Sequence, residues 1–212
     1  MQNGDRILVA DDHEIVRMSL IRMIKQLKPQ AHLKEVNDFK TLYSAVSKDP
    51  YDLVILDVNM PNGSFQEAVS FIKLKQPDIK ILVFSSQDEH IYAIRYLKIG
   101  ADGYLTKESS MAKIDQALNA MLTSGRFISE EVKDAMISDS LKGTSQVTPI
   151  ASLSNRELQI ANKLVEGIPL KELSHTLNLH SSTISTYKNR LFEKLNIQSI
   201  PELVEILRLY KE

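Results

Sequence analysis

The sequence contains no cysteine, no long apolar run and almost no net charge. Without cysteine the chain has no disulfides and no thiolate metal ligands, which suits a reducing compartment and predicts a cytoplasmic protein. The first apolar run, residues 7–10, is too short for a signal peptide or a membrane-spanning helix, so we expect no membrane association. A net charge of -1 gives no overall attraction to nucleic acid, so any DNA binding must depend on a local patch and on pairing of two copies.

Length and composition predict two folded domains. The chain has 212 residues, of which 43% are hydrophobic and 25% charged, an ordinary globular composition. In the first half, short β-branched or aliphatic runs alternate with amphipathic stretches, which is typical of a parallel sheet covered by helices. We predict five strands, each followed by a helix, at residues 6–10, 32–36, 53–58, 79–85 and 103–106. This pattern predicts a doubly wound (βα)5 domain of the α/β class, similar to flavodoxin, over residues 1–128.

The second half of the chain has a different pattern. Residues 138–152 lose periodicity and are rich in Ser, Thr, Gly and Pro, which indicates a linker between domains. Beyond the linker, four helical patterns and no convincing strand predict an all-α domain. The predicted organisation is therefore a first domain over 1–128, a helix and linker over 129–152, and a four-helix domain over 153–212.

Acidic side chains lie at the ends of two predicted strands. Asp11 and Asp12 follow the first strand, and Asp57 lies at the end of the third. Because the carboxyl ends of parallel strands meet at one edge of the sheet, we expect these three carboxylates to lie close together. Crowded carboxylates repel one another, and hard oxygen ligands with positions left for water favour Mg²⁺. The sequence therefore predicts a magnesium site at this edge.

Ser85 and Lys107 lie at the ends of the fourth and fifth predicted strands and should reach the same edge. A hydroxyl donor and a cation at this place would hold the oxygens of an incoming phosphoryl group, because phosphoryl transfer depends mainly on positioning and charge neutralisation. Asp57 would then be the nucleophile. Any one of the charged residues alone is better interpreted as a surface charge. The five residues in register on one edge, Asp11, Asp12, Asp57, Ser85 and Lys107, argue for a phosphoryl-transfer site.

Together these residues resemble the receiver domain of bacterial two-component response regulators over roughly the first 125 residues, all five strands included. The residues that stand in the family's order are Asp11, Asp12, Asp57, Met60, Pro61, Ser85 and Lys107. The resemblance implies that Asp57 accepts a phosphoryl group from a sensor histidine kinase, a phosphotransfer protein or a small phosphodonor. It also implies that Asp12, Asp57 and the main-chain carbonyl of Asn59 hold Mg²⁺, with Asp11 beside them. Ser85 and the aromatic Tyr104 would form the switch, with Tyr104 filling space that Ser85 vacates on phosphorylation.

Residues 153–212 carry a second pattern. Ser154 and Glu157 have the spacing of a capping box that begins a helix, Gly167 ends that helix, and Pro169 opens the next. An inward apolar face on the third predicted helix is formed by Ile184, Leu191 and Leu195. The other face carries short hydroxyls, an amide and nearby cations, which suit a helix that reads base edges in the DNA major groove. An ordinary solvent face is equally consistent with this helix alone.

The wider pattern resembles the LuxR-type helix-turn-helix domain, and the two domains in this order resemble the NarL/FixJ family of response regulators. The resemblance is carried by residues 153–157, 167, 171–173, 177–179, 183–184 and 191–195, and residues 184–191 are similar to the BvgA/EvgA branch. By position, phosphate contacts are expected from Lys171, Thr183, Lys188 and Arg190. Base contacts are expected from Ser185, Thr186 and Asn189, with Lys188 able to make both kinds of contact.

A single copy of the helical domain should bind DNA weakly, because residues 151–212 hold eight cationic and seven acidic side chains. The last predicted helix begins at Pro201 and is the family's usual dimer element. Its apolar residues are Leu203, Ile206, Leu207 and Tyr210. We therefore expect a homodimer on repeated half-sites of DNA, and RNA polymerase stays open as a further partner.

Two other functions fit parts of the sequence. An aspartate nucleophile with Mg²⁺ also serves haloacid dehalogenase phosphatases, but these place a second aspartate two residues on, where this chain has Asn59. We therefore expect no enzyme beyond a receiver that catalyses its own phosphoryl transfer and dephosphorylation. The alternative that stays open is a DNA-binding regulator that acts without phosphorylation and uses the receiver for dimerisation.

Overall fold

The computed structural model describes residues 4–141, 149–177 and 179–208. The chain divides into two compact units, one ending at Leu141 and one comprising the rest. Part of the predicted linker, residues 142–148, lies outside the described residues, as do Asn178 and Tyr210. In the described ranges, no helix combines the length and the apolar character that crossing a membrane would require.

The first unit alternates strands and helices as predicted. Its elements are β1 (Arg6–Ala10), α1 (Glu14–Leu27), β2 (His32–Val36), α2 (Phe39–Lys48), β3 (Leu53–Leu56), α3 (Phe65–Lys75), β4 (Lys80–Ser85), α4 (Glu89–Ile99), β5 (Gly103–Thr106), α5 (Met111–Thr123) and α6 (Glu130–Leu141). All strand pairs are parallel, in the order β2-β1-β3-β4-β5. The predicted (βα)5 fold is confirmed.

The central strands of the sheet are buried on both faces, which explains why they are apolar at consecutive positions. Every residue of β3 is buried, and so are five of the six residues of β4. One face packs on α1 and α5, where Ile55 and Leu82 join Ile24 and Leu118 in a single cluster. The strand order reverses between β1 and β3, since β2 lies on the other side of β1, and this reversal opens a crevice at the strands' carboxyl ends.

Three predicted boundaries in the first unit and the linker are wrong by a few residues. β3 ends at Leu56 rather than at 58: the Asp57 N–H still donates to Ala10 on β1, but the Val58 N–H bonds the Asp57 side chain instead of a neighbouring strand. β4 begins at Lys80 rather than at 79. The linker does not begin at 138, because α6 continues to Leu141, and the turn Pro149–Ser152 is a short 3₁₀ helix.

The second unit contains helices and connecting turns, with no strand among its described residues. Its helices are α7 (Asn155–Val165), α8 (Leu170–Thr176), α9 (Ser181–Leu195) and α10 (Ile200–Arg208), the last beginning one residue before the predicted start. The capping box is present: the Ser154 hydroxyl accepts the Glu157 N–H, and the Glu157 carboxylate accepts the Ser154 N–H at 2.7 Å. Gly167 follows the end of α7 with φ at 79°, a conformation that favours glycine.

Candidate functional site

The predicted acidic residues meet at the carboxyl edge of the sheet. Asp11 follows β1 and Asp57 follows β3, and their side chains are only 1% and 3% exposed. One ligating atom from each of Asp11, Asp12, His13 and Asp57 lies within 4.8 Å of the others. The strand order explains this, since β1 and β3 are neighbours at the point where the connections diverge.

Main-chain bonds fix the two buried carboxylates. The Asp57 N–H donates to the Ala10 carbonyl at 2.8 Å, and Asp57 Oδ1 accepts the Val58 N–H at 2.7 Å. Asp11 Oδ1 accepts the N–H of His13 at 2.8 Å at the start of α1. Each carboxylate therefore has one oxygen held by the backbone and one oxygen directed to the shared site.

Lys107 contacts both buried acids. Its ammonium lies 2.6 Å from Asp11 Oδ2 and 3.1 Å from Asp57 Oδ2. The Lys107 N–H donates to the Ser85 carbonyl at 2.9 Å, which ties the loop after β5 to the end of β4. A lysine that follows the fifth strand thus brings its charge to the end of the third.

The environment of Asp57 opposes its ionisation. Burial raises the pKa of the carboxyl above its usual value, the Lys107 ammonium lowers it in part, and the neighbouring Asp11 and Asp12 raise it further. One cation therefore does not balance the negative charges gathered here.

These residues fit a divalent cation. The donors are hard carboxylate oxygens, and the Asp12 side chain, 31% exposed, leaves the site open to water ligands, as Mg²⁺ requires. A further positive charge would also relieve the repulsion that raises the Asp57 pKa. Asn59, whose carbonyl was the remaining predicted ligand, is exposed in the loop after β3.

The two predicted switch residues are both buried. Ser85 is 0% exposed at the end of β4, and Tyr104 is 1% exposed in the middle of β5, where it pairs with Val83. The Ser85 hydroxyl accepts the Gln87 N–H at 3.2 Å, and the Tyr104 hydroxyl donates to the Gln87 carbonyl at 2.7 Å. The loop after β4 therefore contacts both residues.

Two residues of this region escaped the sequence analysis. Arg17 on α1 donates to the Asp11 carbonyl at 2.8 Å and pairs with Glu35 at 2.9 Å, which holds the acidic loop in place. Its signal in the sequence was a cation five residues after Asp12, in the first predicted helix. Gln87 carried no such signal, because its partners come from α4 and β5.

The second unit presents the predicted DNA-binding residues on its surface. On α9, Ile184 and Leu191 are fully buried. The exposed set is Lys171, Ser185, Thr186, Asn189 and Arg190, and the half-buried set is Thr183 and Lys188. The hydroxyls of Ser185 and Thr186 each donate to the carbonyl four residues earlier, at 3.0 Å. The Lys188 ammonium lies 5.1 Å from the centre of the Phe192 ring.

Comparisons with known proteins agree with both halves of this description. A family model described as "Response regulator receiver domain" matches residues 7–119, and one described as "Bacterial regulatory proteins, luxR family" matches residues 151–207. The response regulator GacA of Pseudomonas aeruginosa is 31% identical over 198 residues, which is 93% of this chain and 92% of GacA. The response regulator UvrY of Escherichia coli K12 is 29% identical over 200 residues, 94% of this chain and 92% of UvrY.

Solved structures give the same fold. The RcsB response regulator of Salmonella typhimurium aligns with a TM-score of 0.59 at 23% identity, over 98% of this chain and 100% of that one. A LuxR-family response regulator from Aurantimonas aligns with a TM-score of 0.57 at 28% identity, over 65% of this chain and 99% of that one.

The parallel sheet with its acidic edge and lysine is a receiver domain, and the helical unit is a LuxR-type helix-turn-helix domain. The chain belongs to the two-component response regulators, in the NarL/FixJ family. The placement in the BvgA/EvgA branch stays a prediction.

Proposed function

We propose that this response regulator is phosphorylated on Asp57 in a Mg²⁺-dependent reaction and that phosphorylation controls its dimerisation and sequence-specific DNA binding. The observation that carries the proposal is the contact of one Lys107 ammonium with both Asp11 and Asp57 at an edge that three acids share. A lysine and a nucleophilic carboxylate at one open crevice suit an incoming phosphoryl group. The phosphodonor would be a sensor histidine kinase, a phosphotransfer protein or a small phosphate anhydride.

In the proposed reaction an Asp57 carboxylate oxygen attacks phosphorus. A new P–O bond forms while the bond from phosphorus to the donor's histidine nitrogen, or to an acetate oxygen, breaks. Lys107 neutralises charge on the phosphoryl oxygens, and the Ser85 hydroxyl donates to one of them. Mg²⁺, held by Asp12, Asp57 and the Asn59 carbonyl with Asp11 beside them, would supply further charge neutralisation.

The second unit would carry the output. We propose that residues 1–128 form the receiver, 129–152 a helix and linker, and 153–212 the DNA-binding domain. The exposed polar face of α9 supports this assignment, because its small side chains leave room for base edges. An RcsB–DNA complex has been solved for a protein of the same fold. A regulator that meets both a phosphodonor and DNA would act in the cytoplasm.

Acetyl phosphate tests the phosphorylation directly. The full chain is incubated with acetyl phosphate and Mg²⁺, and intact mass is measured for wild type, Asp57→Asn and Asp78→Asn, the last being an exposed aspartate outside the site. Wild type and Asp78→Asn should gain one phosphoryl group, Asp57→Asn none, and chelation of Mg²⁺ should slow the gain at least about tenfold. An unlabelled wild type, or a labelled Asp57→Asn, would contradict the proposal.

A further inference from the structure

Gln87 joins three residues around the receiver site through three separate hydrogen bonds. Its N–H donates to the Ser85 hydroxyl at 3.2 Å, and its carbonyl accepts the Tyr104 hydroxyl at 2.7 Å. Its side-chain Oε1 accepts the hydroxyl of Tyr96, on α4, at 2.7 Å. The position of the loop after β4 is therefore tied to α4 through a side chain and to β5 through the backbone.

The two tyrosines are buried and stacked. Tyr96 is 2% exposed and Tyr104 1%, and their rings lie 6.1 Å apart at an angle of 12°. Phe65, at the start of α3, packs edge-on against Tyr96, with 4.8 Å between the centres of the two rings. Because a buried hydroxyl without a partner is costly, the bonds to Gln87 stabilise both tyrosines in these positions.

The backbone N–H of Gln87 also contacts the Ser85 hydroxyl. A serine hydroxyl has one proton to donate and two lone pairs to accept with. Because one lone pair accepts the Gln87 N–H, the hydroxyl oxygen is held in place, while its proton can turn either to the neighbouring Tyr104 hydroxyl or to a phosphoryl oxygen on Asp57. Holding Gln87 in place thus holds the Ser85 oxygen as well.

We propose that Tyr96, acting through the Gln87 side chain, is a positioning residue that stabilises the inward conformation of Tyr104, the conformation that phosphorylation favours. This inference rests on the proposed function of Asp57. The hydroxyl of Tyr96 fixes the Gln87 side chain, and the Gln87 backbone then holds both the Tyr104 hydroxyl and the Ser85 oxygen in place. Removing the Tyr96 hydroxyl lowers the population of molecules with Tyr104 inward. A phosphoryl mimic that binds this conformation then has a lower apparent affinity.

The test is a titration of the full chain with beryllofluoride in the presence of Mg²⁺, followed by NMR through the Val58 amide, which donates to Asp57. Tyr96→Phe keeps the ring and removes only the hydroxyl. It should raise the beryllofluoride concentration at half-saturation about threefold to tenfold, the range expected for one buried hydrogen bond. Gln87→Met, which removes the same acceptor, should have a similar effect, and the double variant should show no more than one single variant does.

The control is Tyr43→Phe, since the Tyr43 ring packs at a tilt against Phe71 rather than against the residues around Gln87. It should leave the half-saturation unchanged, and thermal unfolding checks that each variant is folded. Should Tyr96→Phe misfold, Gln87→Met supplies the same test. The role of Tyr96 is overturned if Tyr96→Phe and Gln87→Met both reach half-saturation at a beryllofluoride concentration equal to or below that of wild type. A wild type that does not respond to beryllofluoride at all overturns the proposed function of Asp57, and this inference with it.

Discussion

Asp57 combines burial with a position among like charges, and this combination has a measurable cost. Its carboxylate is 3% exposed, near Asp11 and Asp12, with Lys107 as its counterion. A buried charge that is incompletely balanced lowers the stability of the folded state. The arrangement therefore costs the folded protein some stability, as is common at functional sites.

Replacing Asp57 by Asn should stabilise the Mg²⁺-free protein at neutral pH. The folded state raises the pKa of Asp57 above the ordinary value of 3.8, so the folded state binds more protons than the unfolded state between these two values. Relative to neutral pH, Asp57 therefore contributes its full stabilisation below its pKa in the unfolded state. This contribution is lost as pH rises through its pKa in the folded state. The gain from Asp57→Asn should be largest at neutral pH and vanish near pH ~4.

Urea unfolding at a series of pH values, with Mg²⁺ chelated, measures this effect through the midpoint concentration. Asp78→Asn, at an exposed position, serves as the matched variant and should show no such pH-dependent gain. An Asp57→Asn protein that is less stable than wild type at pH 7 would show that Lys107 outweighs burial and the neighbouring acids.

At the scale of elements, α9 has the two faces that a recognition helix needs. Its inward face is anchored by Ile184 and Leu191, and its outward face carries Ser185, Thr186 and Asn189. Arg156 on α7 donates to the Leu177 carbonyl at 2.9 Å, which ties the end of α8 to α7. The buried residues of α9 thus anchor the helix to its unit, and the polar face does not take part in this packing.

Lys188 and Asn189 should affect DNA binding differently. Lys188→Ala should weaken binding to all sequences and reduce the slope of log K against log salt by about 1, because one cation fewer then neutralises a phosphate. Asn189→Ala should cost about 1–3 kcal/mol on the preferred sequence and leave the slope unchanged, because a base contact releases no counterion.

Fluorescence anisotropy at several salt concentrations distinguishes the two effects. Lys163→Ala is the control, since Lys163 pairs with Glu166 at 2.6 Å near the end of α7, and its position predicts no contact with DNA. A control with the same slope change as Lys188→Ala would mean that the change reports overall charge rather than a contact.

The elements were largely predictable, and so was the composition of the receiver site. Consecutive apolar residues identified the central strands, and strand-end positions were enough to bring Asp11, Asp57 and Lys107 together. The early end of β3 could not be predicted, because Val58 is apolar like the strand before it and only the structure shows that its N–H bonds the Asp57 side chain. The hydrogen bonds of Gln87 could not be predicted either. Their partners, Tyr96 on α4 and Tyr104 on β5, are nine and seventeen residues away in the sequence, and only the fold brings them close.

At the scale of the whole molecule, two compact units share a chain of nearly zero net charge. The DNA-binding unit has no large excess of cations, so its affinity for DNA should depend strongly on the pairing of two copies. Phosphorylation of Asp57 would then act most effectively by promoting dimerisation or by freeing α9 for DNA.

The measurement that tests this claim most directly is a DNA-binding titration of the full chain with and without acetyl phosphate and Mg²⁺. The probe is a labelled duplex selected from a random library by the phosphorylated protein, and gel filtration of the same samples reports dimerisation. Wild type should bind at least about tenfold more tightly with the phosphodonor, and Asp57→Asn should show no gain. Equal affinity of wild type and Asp57→Asn with the phosphodonor present would contradict the account and favour a regulator that acts without phosphorylation.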